Sequence, residues 1–129
     1  VHIGASDGGA HIQSFSTYGD TGYLLGHFVR ETGQFTLEQA IKKITADPAR
    51  IWHLPNRGLL QPGYAADVTI FDPETIARGE EIPVHDMPEH GMRYVRESRG
   101  VEAVVVGGAL AWSREGGYTD ARTGTIAVG

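Results

Sequence analysis

An aspartate followed by two glycines near the start of the chain is the strongest candidate for chemistry. Val1 to Ser6 is predicted as a short β-strand, and Asp7 stands at its carboxyl end, followed by Gly8 and Gly9. A carboxylate in that position can act as a metal ligand, as a general base or as both. The same pattern is also typical of a simple turn in which an aspartate accepts hydrogen bonds from its own loop. The residue pattern leaves both interpretations open.

The six histidines do not form a recognisable zinc motif. The chain has no H-x-H pair, no H-E-x-x-H and no cysteine, whereas a catalytic zinc needs about three protein ligands. His11 follows Asp7 by four residues on the same predicted loop, so it is the histidine to consider for substrate contact, although an exposed loop imidazole has the same pattern. No G-x-S-x-G serine motif and no Gly-Lys-Ser/Thr phosphate loop is present.

Composition narrows the class of protein. A chain of 129 residues is long enough for one domain with a core. A net charge of −5 without a Lys/Arg cluster argues against a nucleic-acid partner. No apolar run approaches the ~20 residues of a membrane span, and no signal peptide is recognisable, so we expect no membrane contact. The absence of cysteine fits a cytoplasmic location.

The beginning of the chain indicates a piece of a longer protein. Val1 replaces the usual Met, and the first residues already have the pattern of a buried strand that leads into a Gly-rich loop. From Ala10 to Gly19 no periodicity is visible, which predicts a long loop, and long loops in compact domains are often functional.

Helices are predicted for the residues after this loop. Thr21 can cap a helix that runs to about Thr32 and ends at Gly33, with an apolar face formed by Leu24, Leu25, Phe28 and Val29. Thr36 and Gln39 form a capping box for a second helix, whose apolar residues are Leu37, Ala40, Ile41 and Ile44. A third, short helix is predicted to start with Pro48 at its first position.

The second half of the chain has the alternation of β-strands. Gln61 to Tyr64 predicts a type II turn that leads into a strand from Ala66 to Asp72. Residues 74–100 are polar and are predicted as a loop with one short strand from Met92 to Val95. The strands Val101–Val106 and Ala109–Ser113 are predicted to form a hairpin around Gly107 and Gly108.

Several of these segments resemble one known family. Residues 4–11, GASDGGAH, are similar to the motif of the last barrel strand in amidohydrolases. The segment from Leu37 to Asp72 resembles the same family in its T-x-x-P-A and G-x-L-x-P-G elements and in the A-D-x-x-x-F-D-P that ends it. Val104 to Gly108 is similar to a V-x-V-N-G hairpin, with Gly107 in place of Asn. The tail Gly117 to Gly124 resembles that of N-acyl-D-amino-acid deacylases, although Asp120 and Thr123 replace its usual Gly and Pro.

The resemblance implies an α/β plus β fold. Residues 1–54 would be the last strand and helices of a (β/α)8 metal-dependent hydrolase barrel, and residues 55–129 would be part of a small antiparallel β-sandwich. It implies zinc-dependent hydrolysis of the amide bond of N-acyl-D-amino acids in the full-length enzyme. The main metal ligands would come from the missing N-terminal barrel segment, so the isolated fragment should be inactive.

The resemblance also implies roles for the loop residues. Asp7 matches the catalytic aspartate that moves a proton, with metal contact as a second role, and Gly8, Gly9 and His11 would adjoin the substrate. The family's His-Pro-Arg-type stretch is replaced here by Gly8-Gly9-Ala10-His11, which leaves the preferred substrate open.

Two alternatives remain at this point: a cyclic-amide hydrolase of the dihydropyrimidinase or dihydroorotase kind, and a non-catalytic β-rich interaction module. Surfaces left uncovered by the missing segment also predict a tendency to form homo-oligomers.

Overall fold

The computed structural model describes residues 18–127, in which helices precede antiparallel strands. Helix α1, Asp20–Tyr23, continues directly into a π-helical segment, Leu24–Glu31. The prediction of Thr21 as the N-cap was wrong, because Gly19 is the cap residue and adopts a left-handed φ of 86° that suits glycine. Gly33, with φ of 62°, follows the end of the segment as predicted.

Helix α2 spans Leu37–Ile44 and helix α3 spans Ala46–Ile51. The predicted capping box of α2 is confirmed: the Gln39 amide donates to Thr36 Oγ1 at 3.3 Å, and the Thr36 amide donates to Gln39 Oε1 at 3.0 Å. Pro48 is the third residue of α3, and its predicted place at the first position was wrong. Proline is tolerated at the third position as well, since the first four amides of a helix have no intrahelical partner.

Six strands follow the helices: β1 Val68–Phe71, β2 Ala77–Val84, β3 Arg93–Arg99, β4 Val101–Val106, β5 Ala109–Ser113 and β6 Gly117–Tyr118. They form a four-stranded antiparallel sheet in the order β1-β4-β5-β6 and a separate hairpin of β2 and β3. The predicted β4–β5 hairpin is confirmed, with positive φ angles of 56° at Gly107 and 83° at Gly108.

The predicted type II turn at residues 61–64 and the strand after it are both present, but the strand is shorter than predicted. The Tyr64 amide donates to the Gln61 carbonyl at 3.2 Å, and Gly63 has a φ of 86°, as a type II turn requires. Strand β1 is shorter than the predicted Ala66–Asp72, and its register with β4 shifts between Ile70 and Phe71. A bulge of this kind interrupts the simple alternation that the sequence suggests.

Residues 74–100 contain two long strands, so their prediction as a loop with one short strand was wrong. Charged pairs across the β2–β3 hairpin take the place of alternating apolar residues: Arg96 pairs with Glu81 at 3.0 Å and Arg99 with Glu80 at 3.3 Å. Opposite charges on neighbouring strands stabilise a sheet, but they leave no hydrophobic alternation to recognise. A 3₁₀ turn, Pro88–His90, lies in the connection between the two strands.

The hydrophobic core lies between the helices and the start of this hairpin. Its buried members are Leu24 and Leu25 of the π-helical segment, Ala40 of α2 and Ile76, which precedes β2. The predicted apolar faces are confirmed, since the remaining members of both faces pack against this cluster: Phe28, Val29, Leu37, Ile41 and Ile44. Phe71 and Val101 also contact it, so residues before and after residue 54 share one core. No helix within residues 18–127 has both the length and the apolar character of a membrane span.

Two glycines allow the first helix to lie directly on the backbone that begins the hairpin. A Cβ atom at Gly22 would stand 2.8 Å from the Ala77 carbonyl oxygen, and one at Gly26 would stand 3.1 Å from the Ile76 carbonyl oxygen. Because the obstructing atoms are backbone, they cannot move aside as a flexible side chain would. The two glycines therefore set how closely the helix and the hairpin approach.

We expect Gly22→Ala to destabilise the 129-residue chain by about 1–3 kcal/mol, the usual effect of excess volume in a packed contact. In a solvent-exposed helix the same change stabilises by about 1 kcal/mol, so the sign of the effect tests the contact. Urea unfolding followed by circular dichroism measures the free energy. Thr21→Ala, at the exposed neighbouring position, is the matched control and should change stability little. A stabilised Gly22→Ala variant would contradict the close approach.

Candidate functional site

The predicted catalytic and substrate residues, Asp7, Gly8, Gly9 and His11, lie outside the described residues. The structure does place the helix that follows these residues in the chain. Gly19 stands twelve residues after Asp7 and begins the helix that packs on the hairpin. In (β/α)8 enzymes, catalytic residues lie at the carboxyl ends of strands, and the next helices begin on the same face of the barrel.

The histidines within residues 18–127 are not gathered at one place. His27 Nδ1 shares a hydrogen bond with Glu31 at 2.8 Å on the π-helical segment, and His85 Nδ1 contacts the His90 carbonyl at 3.1 Å in the hairpin connection. No group of three or more His, Cys, Asp or Glu side chains that could hold a metal occurs in this part of the chain. The described residues therefore do not form a zinc site by themselves.

A groove of about 320 Å³ lies beside the contact between the first helix and the β2–β3 hairpin, and we call it the helix–hairpin groove. Tyr23 and His27 stack in it with 4.9 Å between ring centroids and 12° between planes. The guanidinium of Arg78 covers the Tyr23 ring at 4.6 Å from its centroid. The remaining charged groups of the groove are Glu31, Glu80 and Arg96.

The turn between β1 and β2 is tied to the first helix through Arg30. Its guanidinium donates to the Ile76 carbonyl at 2.7 Å and to the Pro73 carbonyl at 3.1 Å. Asp72 organises the same turn by accepting from the Glu74 amide at 2.9 Å and from the Thr75 hydroxyl at 2.8 Å. These hydrogen bonds, with the Glu74 amide first, lower the pKa of the Asp72 carboxyl below its ordinary value. Asp72 therefore remains ionised at neutral pH and holds the turn.

A second ionic contact joins distant parts of the β region, and we call it the Asp67 clamp. Asp67 Oδ1 accepts from the Gly107 amide at 2.8 Å, and its Oδ2 accepts from the Arg57 guanidinium. Arg57 also donates to the Thr125 hydroxyl at 3.1 Å. The clamp links the loop after α3, the start of β1, the β4–β5 turn and the tail. Asp67, the aspartate of the A-D-x-x-x-F-D-P motif, therefore stabilises the fold by holding these segments together.

The hairpin connection is closed by a bidentate pair. Arg93 Nε donates to Asp86 Oδ1 at 2.6 Å and Arg93 Nη2 donates to Asp86 Oδ2 at 2.5 Å. This contact lowers the pKa of Asp86 and raises the pKa of Arg93, with the side-chain hydrogen bond as the main cause of both shifts. Within the connection, Glu89 and His90 have positive φ angles of 58° and 60°, which non-glycine residues rarely adopt.

A wider groove of about 540 Å³ lies between α3 and the loop after it, lined by basic groups such as Arg50, His53 and Lys42 and by Leu54 and Leu59 among its apolar residues. Nearby, Trp52 is 72% exposed and Leu60 is 82% exposed.

Sequence reasoning missed the Asp67 clamp, the Asp86–Arg93 pair and the position of Arg78. The clamp could have been suspected from Asp67 in the A-D motif. Asp86 and Arg93 are separated by a connection that was not recognised as part of a hairpin. No sequence signal places Arg78 over Tyr23, because the two residues are 55 positions apart.

Comparison with known proteins identifies the family. The profile described as "Amidohydrolase family" matches residues 1–111. The D-aminoacylase of Alcaligenes xylosoxydans xylosoxydans is 35% identical over 103 residues, covering 80% of this chain and 19% of that protein. A dihydroorotase of Lactobacillus johnsonii is 41% identical over 69 residues, covering 54% of this chain and 16% of that protein.

A solved structure of similar shape is the N-acyl-D-glutamate deacylase of Bordetella bronchiseptica complexed with zinc and a phosphonate inhibitor. It superimposes with a TM-score of 0.63 at 35% identity and covers 88% of this chain and 22% of that protein. The chain belongs to the amidohydrolase family. It spans about a fifth or less of the length of these relatives.

We expect Asp67→Ala to lower the free energy of unfolding by about 1–2 kcal/mol, because the Arg57 guanidinium and the Gly107 amide both lose their acceptor. Denaturant unfolding of the 129-residue chain measures this loss. The control is Glu102→Ala, which removes a solvent-exposed pair with Arg114 at 2.9 Å and should cost well under about 1 kcal/mol. Equal losses in the two variants would argue that the clamp is an ordinary surface pair.

Proposed function

We propose that this chain is the C-terminal portion of a zinc-dependent hydrolase that cleaves the amide bond of N-acyl-D-amino acids. The observation that carries the proposal is the amidohydrolase match over residues 1–111, which includes Asp7. The similarity to a D-aminoacylase and to a zinc-complexed N-acyl-D-glutamate deacylase supports this substrate class. Because the chain spans only part of these proteins, activity would require the longer polypeptide.

The proposed role of Asp7 is proton transfer. Its carboxylate would take a proton from the attacking water and deliver it to the leaving amine, and Gly8 and Gly9 would leave space for the acyl group. His11 is the proposed neighbour of the substrate on the same loop. Zinc, held mainly by residues outside this chain, would polarise the scissile carbonyl as a Lewis acid.

The proposed architecture assigns residues 1–54 to the end of a (β/α)8 barrel and residues 55–129 to part of an antiparallel β-sandwich. The order of helices and antiparallel strands supports it. The core that joins Leu24 and Ala40 to Ile76 implies that the two parts pack as one unit. Exposed Trp52 and Leu60 are consistent with a surface that the missing barrel segment covers, and on which isolated copies of the chain would associate.

Hydrolysis of a cyclic amide is the second candidate, and the dihydroorotase similarity favours it. The similarity to the dihydroorotase covers 54% of this chain, whereas the similarity to the D-aminoacylase covers 80%. A linear N-acyl amino acid therefore remains the first proposed substrate. The family assignment also favours a hydrolase over a non-catalytic interaction module. Comparing turnover of an N-acetyl-D-amino acid with turnover of dihydroorotate separates the two substrates directly.

The isolated 129-residue chain should neither retain zinc nor hydrolyse substrate, because residues 18–127 contain no cluster of potential ligands and a catalytic zinc needs about three. Metal analysis after dialysis checks this expectation. Zinc retained in a one-to-one ratio would contradict it.

In the full-length enzyme, Asp7→Asn should reduce turnover of an N-acetyl-D-amino acid by ~10²-fold or more, because the amide cannot accept the proton. The Michaelis constant should change much less, since the loss concerns the transition state. Steady-state kinetics and zinc content are measured together in both proteins. A folded, zinc-loaded Asp7→Asn variant with near-normal turnover would identify Asp7 as a turn residue, because Asn forms the same kind of turn.

A further inference from the structure

Arg78 differs from every other arginine in the described part of the chain. The other eight donate to a carboxylate or to a backbone carbonyl: Arg30, Arg50, Arg57, Arg93, Arg96, Arg99, Arg114 and Arg122. Within residues 18–127, Arg78 contacts only the face of the Tyr23 ring through its guanidinium. Its N–H donors, which lie in the guanidinium plane, therefore remain available to a planar acceptor.

The position of this guanidinium is fixed from two sides. The stem of Arg78 packs against Gly19, where a Cβ atom would stand 2.6 Å from Arg78 Cγ and 3.2 Å from Cδ. The Tyr23 ring packs against the guanidinium, and the same ring stacks on His27. A cation held on an aromatic face keeps its charge and loses little further freedom when it binds a ligand.

The other charged side chains that line the helix–hairpin groove each have a partner. Arg96 is paired with Glu81, Glu80 with Arg99, and Glu31 with His27. The groove lining thus holds two arginines, Arg78 and Arg96, and two acids, Glu31 and Glu80. Of the two arginines, Arg78 is the one that pairs with no carboxylate among residues 18–127.

The position of Arg78 indicates the class of anion that its guanidinium would bind. No Lys or Arg occurs between Asp7 and Arg30, and Arg30 is engaged with the Pro73 and Ile76 carbonyls. Arg78 adjoins Gly19, where the first described helix after Asp7 in the chain begins. The N-terminal ends of such helices lie on the catalytic face of a (β/α)8 barrel. An N-acyl amino acid has a free carboxylate, for which the fork of an arginine is the preferred partner.

We propose that Arg78 is a specificity-determining residue that binds the α-carboxylate of the N-acyl amino acid, an inference that rests on the function proposed above. The β2–β3 hairpin would then contribute directly to substrate choice. Tyr23 would position the guanidinium, and the loop after Asp7 would need no cation of its own.

The test compares an N-acetyl-D-amino acid with its carboxamide, which lacks the charge, in the zinc-loaded full-length enzyme. Arg78→Gln should raise the Michaelis constant for the acid by about 10- to 100-fold, the scale of a lost charge-assisted pair. The constant for the carboxamide should stay the same, and turnover of the acid at saturation should change little. Arg78→Lys should recover part of the loss, since it keeps the charge but not the fork.

Arg99→Gln is the matched control, because Arg99 lies on the same hairpin and pairs with exposed Glu80. It should leave both substrates unaffected. An unchanged constant for the acid in Arg78→Gln, or equal losses for acid and carboxamide, would overturn the role of Arg78 while leaving the proposed activity intact. A wild-type enzyme that hydrolyses neither substrate would overturn both proposals.

Discussion

The contact between the first helix and the start of the β2–β3 hairpin is the constraint on which the rest of the fold depends. Gly22 and Gly26 bring the helix backbone against the Ala77 and Ile76 carbonyls, and the same approach buries Ile76 beside Leu24 and Leu25. Arg30 completes the contact by donating to the turn before β2. Apolar burial, close backbone packing and a charged hydrogen bond thus act at one place. The helix and the hairpin cannot shift separately without disturbing all three.

Contacts of charged side chains organise several junctions between elements of the fold. The Asp67 clamp ties the start of β1 to the β4–β5 turn, and the Asp86–Arg93 pair closes the hairpin connection. Asp72 shapes the turn to which Arg30 donates. Each contact lies at a junction between elements. Arg78 also lies at a junction, but its guanidinium packs on the Tyr23 ring and pairs with no carboxylate among the described residues.

Local signals predicted local structure well. The Thr36–Gln39 capping box, the turn at Gly63 and the β4–β5 hairpin involve residues close in sequence, whose backbone preferences determine the outcome. The β2–β3 hairpin was missed because cross-strand ion pairs stabilise it without an alternating apolar pattern. The groove containing Arg78 and Tyr23 was missed for another reason: their contact arises from the tertiary approach of two elements. The resemblance of residues 4–11, of Leu37 to Asp72 and of Val104 to Gly108 identified the family, which the comparison over residues 1–111 confirms.

The shared core has a consequence for recombining this chain with its relatives. A chimera joined near residue 54 would keep Leu24, Leu25 and Ala40 from one parent and take Ile76, Phe71 and Val101 from the other. The crossover would then divide a packed cluster, although it falls in a loop. Side chains that meet across such a cluster must fit together in volume, so they are best inherited as a set. When β regions are exchanged within this family, the crossover should keep the residues that pack around Ile76 together. The change from helices to strands near residue 54 is a poorer guide to its position.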